Sequence, residues 1–447
     1  MKIKLIKPDE RIATNASSAM TFKIQQLNLP LLAAYTPPEH DIEIVDESFE
    51  QDCIGEDVDL VGITVMTQLA RRAYHIADTY RKQGVKVVMG GIHPSAVPEE
   101  ALHHADSVVI GEGEGVWSQL LDDAEKGELK TRYQAQKKIP LDGRPMPRFD
   151  LYPKTSLKGY TPSAFGVETS RGCPFNCDFC SVGLIMGHQY RLRPVDEVIE
   201  EIKTNRSSNI FFVDDNLALN RRKAKELFSR MIPLKRRWVG EGGVSLAEDT
   251  ELLRLMKRSG CQALLIGFES VQKQTQQSML KTRKLKIDYT EAMKRFHGEG
   301  ISILGAFVFG FDHENKDIFE QTYNFAAKNC IELAQLRPVV PFPGTQLYQR
   351  LREEKRLFSA QWWLEEGRPR VPLFRPQNMT EEEFADGMRQ LGKHFYSYGS
   401  IIRRFFGIKP WKRNAANCHM YLGANLAFRK RYNDHFVKGG KGEKRPG

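Results

Sequence analysis

The segment ETSRGCPFNCDFCSVG, residues 168–183, places Cys173, Cys177 and Cys180 within eight residues of a chain that holds seven cysteines in all. A proline and an asparagine between the cysteines disfavour a helix, so the loop can fold three thiolates onto one object. A structural zinc site normally has four protein ligands, and a cubane iron–sulfur cluster also takes four, so three cysteines leave one iron open. A zinc or cluster site with a remote fourth ligand, for which His188 is the nearest candidate, is the alternative.

Length and composition favour a soluble protein of several domains. The 447 residues suffice for two or three domains. No run of about 18 apolar residues occurs, so a cytoplasmic location is expected. The other cysteines are far apart in the sequence, unlike a secreted disulfide framework. The formal net charge of +10 is compatible with a nucleic acid, a membrane surface or an anionic small molecule as partner.

Residues 1–135 alternate strand-like and helical patterns, which predicts an α/β domain with a parallel sheet covered on both faces. The candidate strands are KIKLI, DIEIVDE, LVGITVM, KVVMGG and SVVIGE. Ligands of such open sheets lie beyond the carboxyl ends of the strands. Three turns are expected there: residues 64–68, GGIHPS from Gly90, and GEGEG from Gly111. Tight turns without a ligand are the alternative for this region taken alone.

A segment rich in proline and glycine, residues 136–163, is expected to be a linker. The strand–helix rhythm then restarts, and residues 164–355 contain the candidate strands AFGVETS, NIFFVDDN, RWVGEGGVS, QALLIGFES, ISILGAFVFG and ELAQLRPVV. Six successive right-handed units predict a partial (β/α)6 barrel that is open on one side. Barrel chemistry occurs at the carboxyl ends of the strands, and the cysteine segment directly follows the first strand.

Residues 356–436 are expected to form a small, mainly helical extension, and residues 437–447 a disordered tail. Thr380 and Glu383 predict a capping box at the start of a helix in this extension. The aromatic and basic stretch IIRRFFGIKPWKRN follows. Such a composition is compatible with RNA, a membrane surface or an anionic lipid-like substrate, but packing as an extra helical layer is the favoured interpretation.

The cysteine segment resembles the radical S-adenosylmethionine (radical SAM) superfamily, because Cys-x3-Cys-x-Phe-Cys follows the first strand of a partial barrel. The resemblance implies that Cys173, Cys177 and Cys180 hold a four-iron four-sulfur cluster whose open iron binds S-adenosylmethionine (SAM). An external one-electron reductant of the flavodoxin or ferredoxin type then drives cleavage of SAM to a 5′-deoxyadenosyl radical. Strand-end motifs extend the resemblance, and the SAM contacts that it implies are Phe179, Asp214, Asp215, Glu269, Ser270 and Phe309. A helix cap at Asp214 and a structural salt bridge at Glu269 are the alternatives.

The first region resembles the doubly wound, flavodoxin-like cobalamin-binding domain that precedes the barrel in one class of this superfamily. The cobalamin contacts that this resemblance implies are Thr64, Thr67, Gly90, Gly91, His93, Gly111 and Gly113. The pattern Asp-x-His-x-x-Gly, which supplies an axial histidine in other cobalamin proteins, does not occur in the sequence. The resemblance therefore implies cobalamin without a histidine below cobalt, and His93 is expected to be a polar contact or a cap. A degenerate domain that binds no cobalamin is the alternative.

The resemblance implies methyl transfer to an unactivated carbon of a small-molecule or lipid-like substrate. A cobalamin-assisted radical cyclase or rearrangement enzyme is the first alternative. A transfer-RNA methylthiotransferase is the second, although that family has three further cysteines in its first domain and only Cys53 occurs here. A non-catalytic iron–sulfur or cobalamin sensor is the third. No motif gives firm evidence for nucleic-acid or membrane binding, and none identifies a catalytic residue that acts on the substrate.

Overall fold

The computed structural model describes most of the chain, namely residues 1–9, 24–49, 54–55, 57–152, 164–205, 207–279, 287–366, 371–408 and 415–432. The predicted linker is described only as far as residue 152. Cys53 and the predicted disordered tail, residues 437–447, lie outside the described residues. Within the described part of the chain, no helix is both long enough and apolar enough to cross a membrane.

The described strands form three sheets. In chain order they are β1 Lys2–Lys7, β2 Ile24–Gln25, β3 Asp41–Asp46, β4 Leu60–Thr64, β5 Lys86–Gly90, β6 Ser107–Ile110, β7 Arg132–Gln134, β8 Ala164–Val167, β9 Ser170–Arg171, β10 Arg191–Leu192, β11 Asn209–Phe212, β12 Arg237–Gly242, β13 Cys261–Glu269, β14 Ser302–Phe309 and β15 Leu333–Pro338. The helices are α1 Asn28–Ala34, α2 Ala70–Lys82, α3 Ile92–Ala96, α4 Pro98–Leu102, α5 Trp117–Glu125, α6 Val182–Ile185, α7 Val195–Thr204, α8 Arg221–Met231, α9 Thr250–Arg258, α10 Lys273–Ser278, α11 Tyr289–Gly298, α12 Asp317–Lys328, α13 Gln346–Glu353, α14 Glu381–Phe395, α15 Tyr398–Gly407 and α16 Ala415–Tyr432.

The first sheet is parallel and has the strand order β3-β1-β4-β5-β6-β7. Counted along the chain, this is the flavodoxin-like order with one further strand at the edge. Leu5 and Ile6 are neighbours in β1 but point to opposite faces, because side chains alternate along a strand. Leu5 packs in the cluster that contains Trp117 of α5, whereas Ile6 packs in the cluster that contains Tyr74 of α2. The five predicted strands and the coverage of both faces are confirmed.

The second sheet has the order β15-β14-β13-β12-β11-β8-β2, again with parallel neighbours. Its six long strands are those that the sequence predicts, in the predicted order, so the partial barrel is confirmed. The seventh strand, β2, was not predicted. It comes from within residues 1–135 and pairs Ile24 with Ala164 and Gln25 with Phe165 of the first barrel strand.

The carboxyl-terminal helices α14, α15 and α16 pack against the edge strand β15. The predicted capping box of Thr380 and Glu383 is present at the start of α14. The hydroxyl of Tyr396 accepts a hydrogen bond from the Ala334 amide at 3.1 Å and donates one to the Ala334 carbonyl at 2.7 Å. Tyr432 makes the same pair of contacts with Leu336. Phenol groups thus satisfy backbone groups that an edge strand would otherwise leave unpaired.

Candidate active site

The three clustered cysteines lie in the loop between β9 and α6, at the carboxyl end of the first barrel strand. The Cys180 amide donates a hydrogen bond to the Cys177 carbonyl at 3.1 Å, which folds the loop into a turn. All three thiols are partly exposed. Burial, together with the neighbouring charges of Cys173 and Asp215, raises the pKa of the Cys180 thiol. The loop thus brings cysteines together at the barrel mouth, where they remain accessible to a ligand.

Gly172 and Asp215 fix the direction in which this loop leaves the strand. Gly172 has a φ of +88°, and a Cβ at this position would lie 2.4 Å from the carbonyl oxygen of Gln189. Only glycine therefore fits. The Gly172 amide donates to the Asp215 carboxylate at 2.9 Å, and burial raises the pKa of Asp215. Asp215 is thus in contact with the residue that immediately precedes Cys173.

Asp214 lies in a buried hydrogen-bond network with the residues that precede the cysteine loop. Its side chain is buried and accepts hydrogen bonds from the Thr169 amide at 3.1 Å and from the hydroxyls of Thr169 and Ser170. Burial raises its pKa to about 6. Asp214 therefore anchors β9 and the residue before it. The alternative role as a helix cap is wrong, because Asn220 caps α8 by accepting from the Lys223 amide.

A kink at the end of β13 presents Glu269 and Ser270. Glu269 has a φ of +59°, and the pairing between β13 and β14 shifts register next to it. A positive φ is uncommon for a residue with a side chain and often marks a functional site. Ser270 is buried and donates to Glu314 at 2.6 Å. Glu314 also accepts from the amides of Gly310 and Phe311, at 2.9 and 3.2 Å.

Glu314 is a site-supporting residue that sequence reasoning missed. It is fully buried, and burial raises its pKa to about 7. A carboxylate four residues beyond Gly310, the end of the predicted strand, in GFDHEN, is the signal that could have indicated its position. The contact with Ser270 shows that Glu314 braces the end of the neighbouring strand.

The two aromatic residues that were predicted near SAM lie on different sides of the barrel wall. The Phe179 ring makes an edge-to-face contact with Phe311 at 5.5 Å, close to the cysteine loop. Phe309 is 1% exposed and stacks on Phe319 of α12 at 5.3 Å. Its ring therefore points into the helical layer. The predicted contact between Phe309 and SAM therefore stays a prediction, and the buried ring limits it to the backbone of this residue.

The three ligand-side turns of the first domain are connected to one another. Gly91 has a φ of +100°, and a Cβ here would lie 3.1 Å from backbone atoms of Val65 and 3.2 Å from the Thr64 hydroxyl. The Ser95 hydroxyl donates to the Gly91 carbonyl at 2.7 Å and accepts from the Gly111 amide at 2.9 Å. Turns after β4, β5 and β6 therefore share one surface, as the parallel topology requires.

The remaining residues predicted in these turns differ in accessibility. Gly90 ends β5, and Gly113 begins a short 3-10 turn after β6. A Cβ on Gly111 would meet no atom within 4 Å, so this turn borders open space. Thr67 is 1% exposed, and its hydroxyl has no hydrogen-bond partner among the described residues. An orphaned buried hydroxyl at a ligand-side turn is a group that a bound ligand or water can satisfy.

The His93 ring points into the protein and away from this surface. It is 0% exposed, and its Nε2 lies 2.9 Å from the Tyr74 hydroxyl and 3.2 Å from the Glu100 carboxylate. Trp363 donates to the same carboxylate at 2.8 Å. Burial opposes ionisation of Glu100, but hydrogen bonds from His93, Tyr74, Trp363 and Gln361 outweigh it and lower its pKa to about 2. His93 is thus a polar contact inside the protein through its Nε2, while its Nδ1 has no hydrogen-bond partner among the described residues.

A buried ion network joins the third of these turns to the cysteine loop. Arg171, two residues before Cys173, contacts Glu112 at 3.4 Å, Glu114 at 3.0 Å and Glu168 at 2.9 Å. Arg191 donates to both oxygens of Glu112. Burial would raise the pKa of Glu112, but the arginines outweigh this effect and lower it. The two domains therefore meet through charge pairs beside both predicted cofactor positions.

The linker enters the same network through Arg144. Its guanidinium donates to Glu168 at 2.7 Å and to Glu201 at 3.1 Å, and Arg193 donates to Glu201 at 2.7 Å. All four side chains are at most 9% exposed. No local sequence pattern indicates this network, because its members are spread over residues 112–201 and single charges normally lie on solvated surfaces.

Comparison with known proteins assigns the family. Residues 167–326 match the radical SAM superfamily, and residues 19–121 match the B12 binding domain. The chain is 30% identical over 394 residues to bacteriochlorophyllide d C-12(1)-methyltransferase of Chlorobaculum tepidum, and the match covers 86% of this chain and 85% of that protein. The chain belongs to the radical SAM superfamily. It is an enzyme of the class that carries a B12 binding domain ahead of the radical SAM barrel.

One further relative and one solved structure are also similar to this chain. The anaerobic magnesium-protoporphyrin IX monomethyl ester cyclase of Cereibacter sphaeroides is 26% identical over 409 residues, covering 83% of this chain and 64% of that protein. The fold is similar to that of the radical SAM methyltransferase TsrM from Kitasatospora setae, solved with cobalamin and a [4Fe-4S] cluster bound. That similarity has a TM-score of 0.64 at 15% identity and covers 79% of this chain and 75% of TsrM.

The residues present fit both groups that the radical SAM and B12 binding domains imply. Three partly exposed thiols in a helix-free loop are the donor set of a cluster with one open iron. Among the described residues, no three His, Cys, Asp or Glu side chains lie close enough to share a single metal ion. Each iron of a cubane cluster takes one cysteine, so this arrangement does not need such close packing. On the other domain, the turn at Gly111 borders open space, and the buried Thr67 hydroxyl, which has no partner among the described residues, is a polar group that bound cobalamin could satisfy.

Proposed function

We propose that this radical SAM enzyme is a cobalamin-dependent methyltransferase that acts on an unactivated carbon of a small-molecule substrate. The observation that carries the proposal is the position of Arg171. This residue precedes Cys173 by two positions and contacts Glu112 and Glu114 in the third turn of the B12 binding domain. A substrate bound between the barrel mouth and that turn would meet both cofactor positions.

The chain's own residues have three tasks in this proposal. Cys173, Cys177 and Cys180 hold the cluster, while Asp215 and Gly172 set the direction of their loop. The turns at Gly91 and Gly111 bind cobalamin. When bound, the cluster, SAM and cobalamin together supply a 5′-deoxyadenosyl radical and a methyl donor.

The face below cobalt receives no histidine in this proposal. The reason is that His93, the histidine in these turns, is fully buried and hydrogen-bonded to Tyr74 and Glu100. Replacement of His93 should leave the absorption spectrum of bound cobalamin unchanged. A spectrum that shifts from a histidine-ligated form in His93→Ala would contradict this assignment.

The enzyme takes its electrons from an external one-electron donor of the flavodoxin or ferredoxin type. We place it in the cytoplasm, because the reducing conditions there keep free cysteines available for a cluster. Three partly exposed thiols at the barrel mouth leave a path for an electron carrier to approach.

The stoichiometry of nucleoside products tests methyl transfer. Reconstituted enzyme would be incubated anaerobically with cell extract and methyl-labelled SAM, and labelled products identified by mass. A methyltransferase of this kind releases S-adenosylhomocysteine and 5′-deoxyadenosine in equal amounts for each product formed. Cys177→Ala serves as the control and should abolish substrate-dependent formation of 5′-deoxyadenosine.

The second candidate is a cobalamin-assisted cyclase or rearrangement enzyme. The observation that favours it is the 26% identity to a magnesium-protoporphyrin IX monomethyl ester cyclase, which extends over 83% of this chain. Such an enzyme would release 5′-deoxyadenosine with its product but no matching S-adenosylhomocysteine. That result would refute methyl transfer and establish the second candidate.

A further inference from the structure

The net charge of the chain is confined to its last 50 residues. Residues 398–447 contain 12 Lys and Arg against 2 Asp and Glu, whereas the 397 residues before them contain 54 of each. The whole formal charge of +10 therefore belongs to the segment that includes α15 and α16. A basic segment attached to an otherwise neutral protein indicates an anionic partner for that segment.

The same segment exposes an unusual amount of apolar surface. Tyr398, Ile402 and Phe406 follow one another at four-residue intervals along α15 and are 61%, 56% and 66% exposed. Leu422 and Leu426 repeat the pattern on α16 and are 45% and 49% exposed. Residues four apart lie on the same side of a helix, so each set forms a stripe. Among the described residues, five of the eight large hydrophobic side chains that are strongly exposed belong to these two helices.

The two helices are firmly held from their other sides. Arg404 is 0% exposed and donates to the carbonyls of Ile331, Glu332 and Phe395 at 2.7–2.9 Å. The Tyr421 hydroxyl of α16 donates to the Ile401 carbonyl of α15 at 2.7 Å, which joins the helices to each other. The apolar stripes are therefore not needed to attach α15 and α16 to the barrel. They are left for a contact outside the described structure.

The combination of aliphatic and basic groups selects the kind of partner. Nucleic acids bind through phosphate contacts and through stacking of bases on aromatic side chains. Three of the five stripe residues, Ile402, Leu422 and Leu426, are aliphatic and offer no face for stacking. The Tyr398 ring is already covered on one side by the Arg429 guanidinium at 4.1 Å. An anionic bilayer takes apolar side chains into its interface while its headgroups attract Lys and Arg. Arg403 and Lys430 are both exposed and lie beside the stripes on α15 and α16. We propose that α15 and α16 form a docking surface for an anionic lipid membrane, on which the protein lies without crossing it.

Flotation of the full-length protein with lipid vesicles tests this docking surface. Vesicles of phosphatidylcholine alone would be compared with vesicles of equal parts phosphatidylcholine and phosphatidylglycerol. We expect wild-type protein to float with the anionic vesicles only. The double variant Ile402→Glu, Phe406→Glu should bind at least about tenfold more weakly, because two side chains lose their burial in the interface.

Two further variants make the result specific. Arg403→Ala should weaken binding about fivefold, because one basic residue near an anionic surface contributes about 1 kcal/mol. Met146→Glu is the matched control, since Met146 is 43% exposed but lies in the linker. It should bind as wild type does. Thermal unfolding of each variant shows that these exposed positions leave the fold intact.

Three results would overturn the docking surface. Equal binding to neutral and anionic vesicles would show that the basic residues of the segment do not determine binding. Binding to single-stranded RNA in place of anionic vesicles would assign the segment to nucleic acid. Sedimentation could also show a dimer of the wild-type protein and a monomer of the Ile402→Glu, Phe406→Glu variant. That result would show that the stripes contact a second copy of the chain. The nucleoside assay with soluble substrate is unaffected by any of these outcomes, so this test is independent of the proposed reaction.

Discussion

Replacement of Arg144 by methionine is expected to destabilise the protein by about 3 kcal/mol. Arg144 bridges Glu168 and Glu201, and its side chain is 2% exposed. Removing one partner of a buried ion pair costs about 3–5 kcal/mol, because the remaining charge stays buried without compensation. Here Glu168 keeps Arg171 and Glu201 keeps Arg193, so the lower end of that range applies.

The linker also provides the matched control. Arg148 pairs with Asp150 at 2.8 Å, but its side chain is 48% exposed. An exposed pair contributes about 0–1 kcal/mol, so Arg148→Met should be nearly neutral. Denaturant unfolding of both variants gives the comparison. Iron content after anaerobic reconstitution gives a second readout, because Glu168 also holds Arg171, next to the cysteine loop.

The expected result is a large loss of stability and reduced iron binding for Arg144→Met alone. If Arg144→Met were no more costly than Arg148→Met, the ion network would not stabilise the contact between linker and barrel. If stability fell while iron content and 5′-deoxyadenosine formation stayed at wild-type levels, the network would hold the fold without positioning the cluster loop.

Further predictions concern the two cofactor positions. Gly172→Ala should reduce bound iron several-fold, because its Cβ would lie 2.4 Å from the Gln189 carbonyl, whereas Gly399→Ala, which meets no atom within 4 Å, should bind iron normally. Burial raises the pKa of Glu314 from 4.5 to about 7, so the folded state holds this proton more tightly than the unfolded state. The tighter binding of this proton in the folded state contributes about 3 kcal/mol to the free energy of unfolding. This contribution is complete below pH 4.5 and is lost as the pH rises through about 7. Glu314→Gln should flatten that part of the stability profile, and an unchanged profile would assign the pH dependence to another group. Triple replacement of Cys173, Cys177 and Cys180 by alanine should remove about four irons per chain, and unchanged iron content would refute the cluster assignment.

The long strands could be predicted from the sequence because apolar and β-branched runs carry their own signal. The short strands β2 and β7 could not. They contain two and three residues, and their pairing with β8 and β6 comes from neighbours that only the folded chain brings close. The register shift of β13 against β14 beside Glu269 could not be predicted either, because no local sequence pattern indicates a bulge.

The site was predictable where its residues are close in sequence and not where they are distant. The spacing of Cys173, Cys177 and Cys180 places them in one loop whatever the rest of the chain does. The resemblance of GAFVFGF to the family segment that flanks adenine places Phe309 near SAM. The side of the strand on which its ring lies depends on which residues of β14 meet the helices. Phe307 shares that buried face, as the two-residue period of a strand requires. The alternation of side chains along β14 could therefore be predicted from the sequence. Which of its two faces packs against the helices could not.

The contact between the domains combines two kinds of interaction with different effects. Trp362 and Trp363 pack in the same apolar cluster as Tyr74 and Ile6 of the first domain, and burial of such surface stabilises contact without fixing its direction. The ion network beside Cys173 has the opposite character. Each guanidinium must meet its carboxylates at a set distance and angle, while the cost of removing charges from water cancels much of the attraction. The four arginines and four glutamates therefore add little net stability as a whole, but the pairs of Arg171 and Arg191 with Glu112 and Glu114 set the alignment of the third turn with the barrel mouth. An enzyme that must bring two cofactors to one substrate carbon needs that alignment more than it needs additional stability.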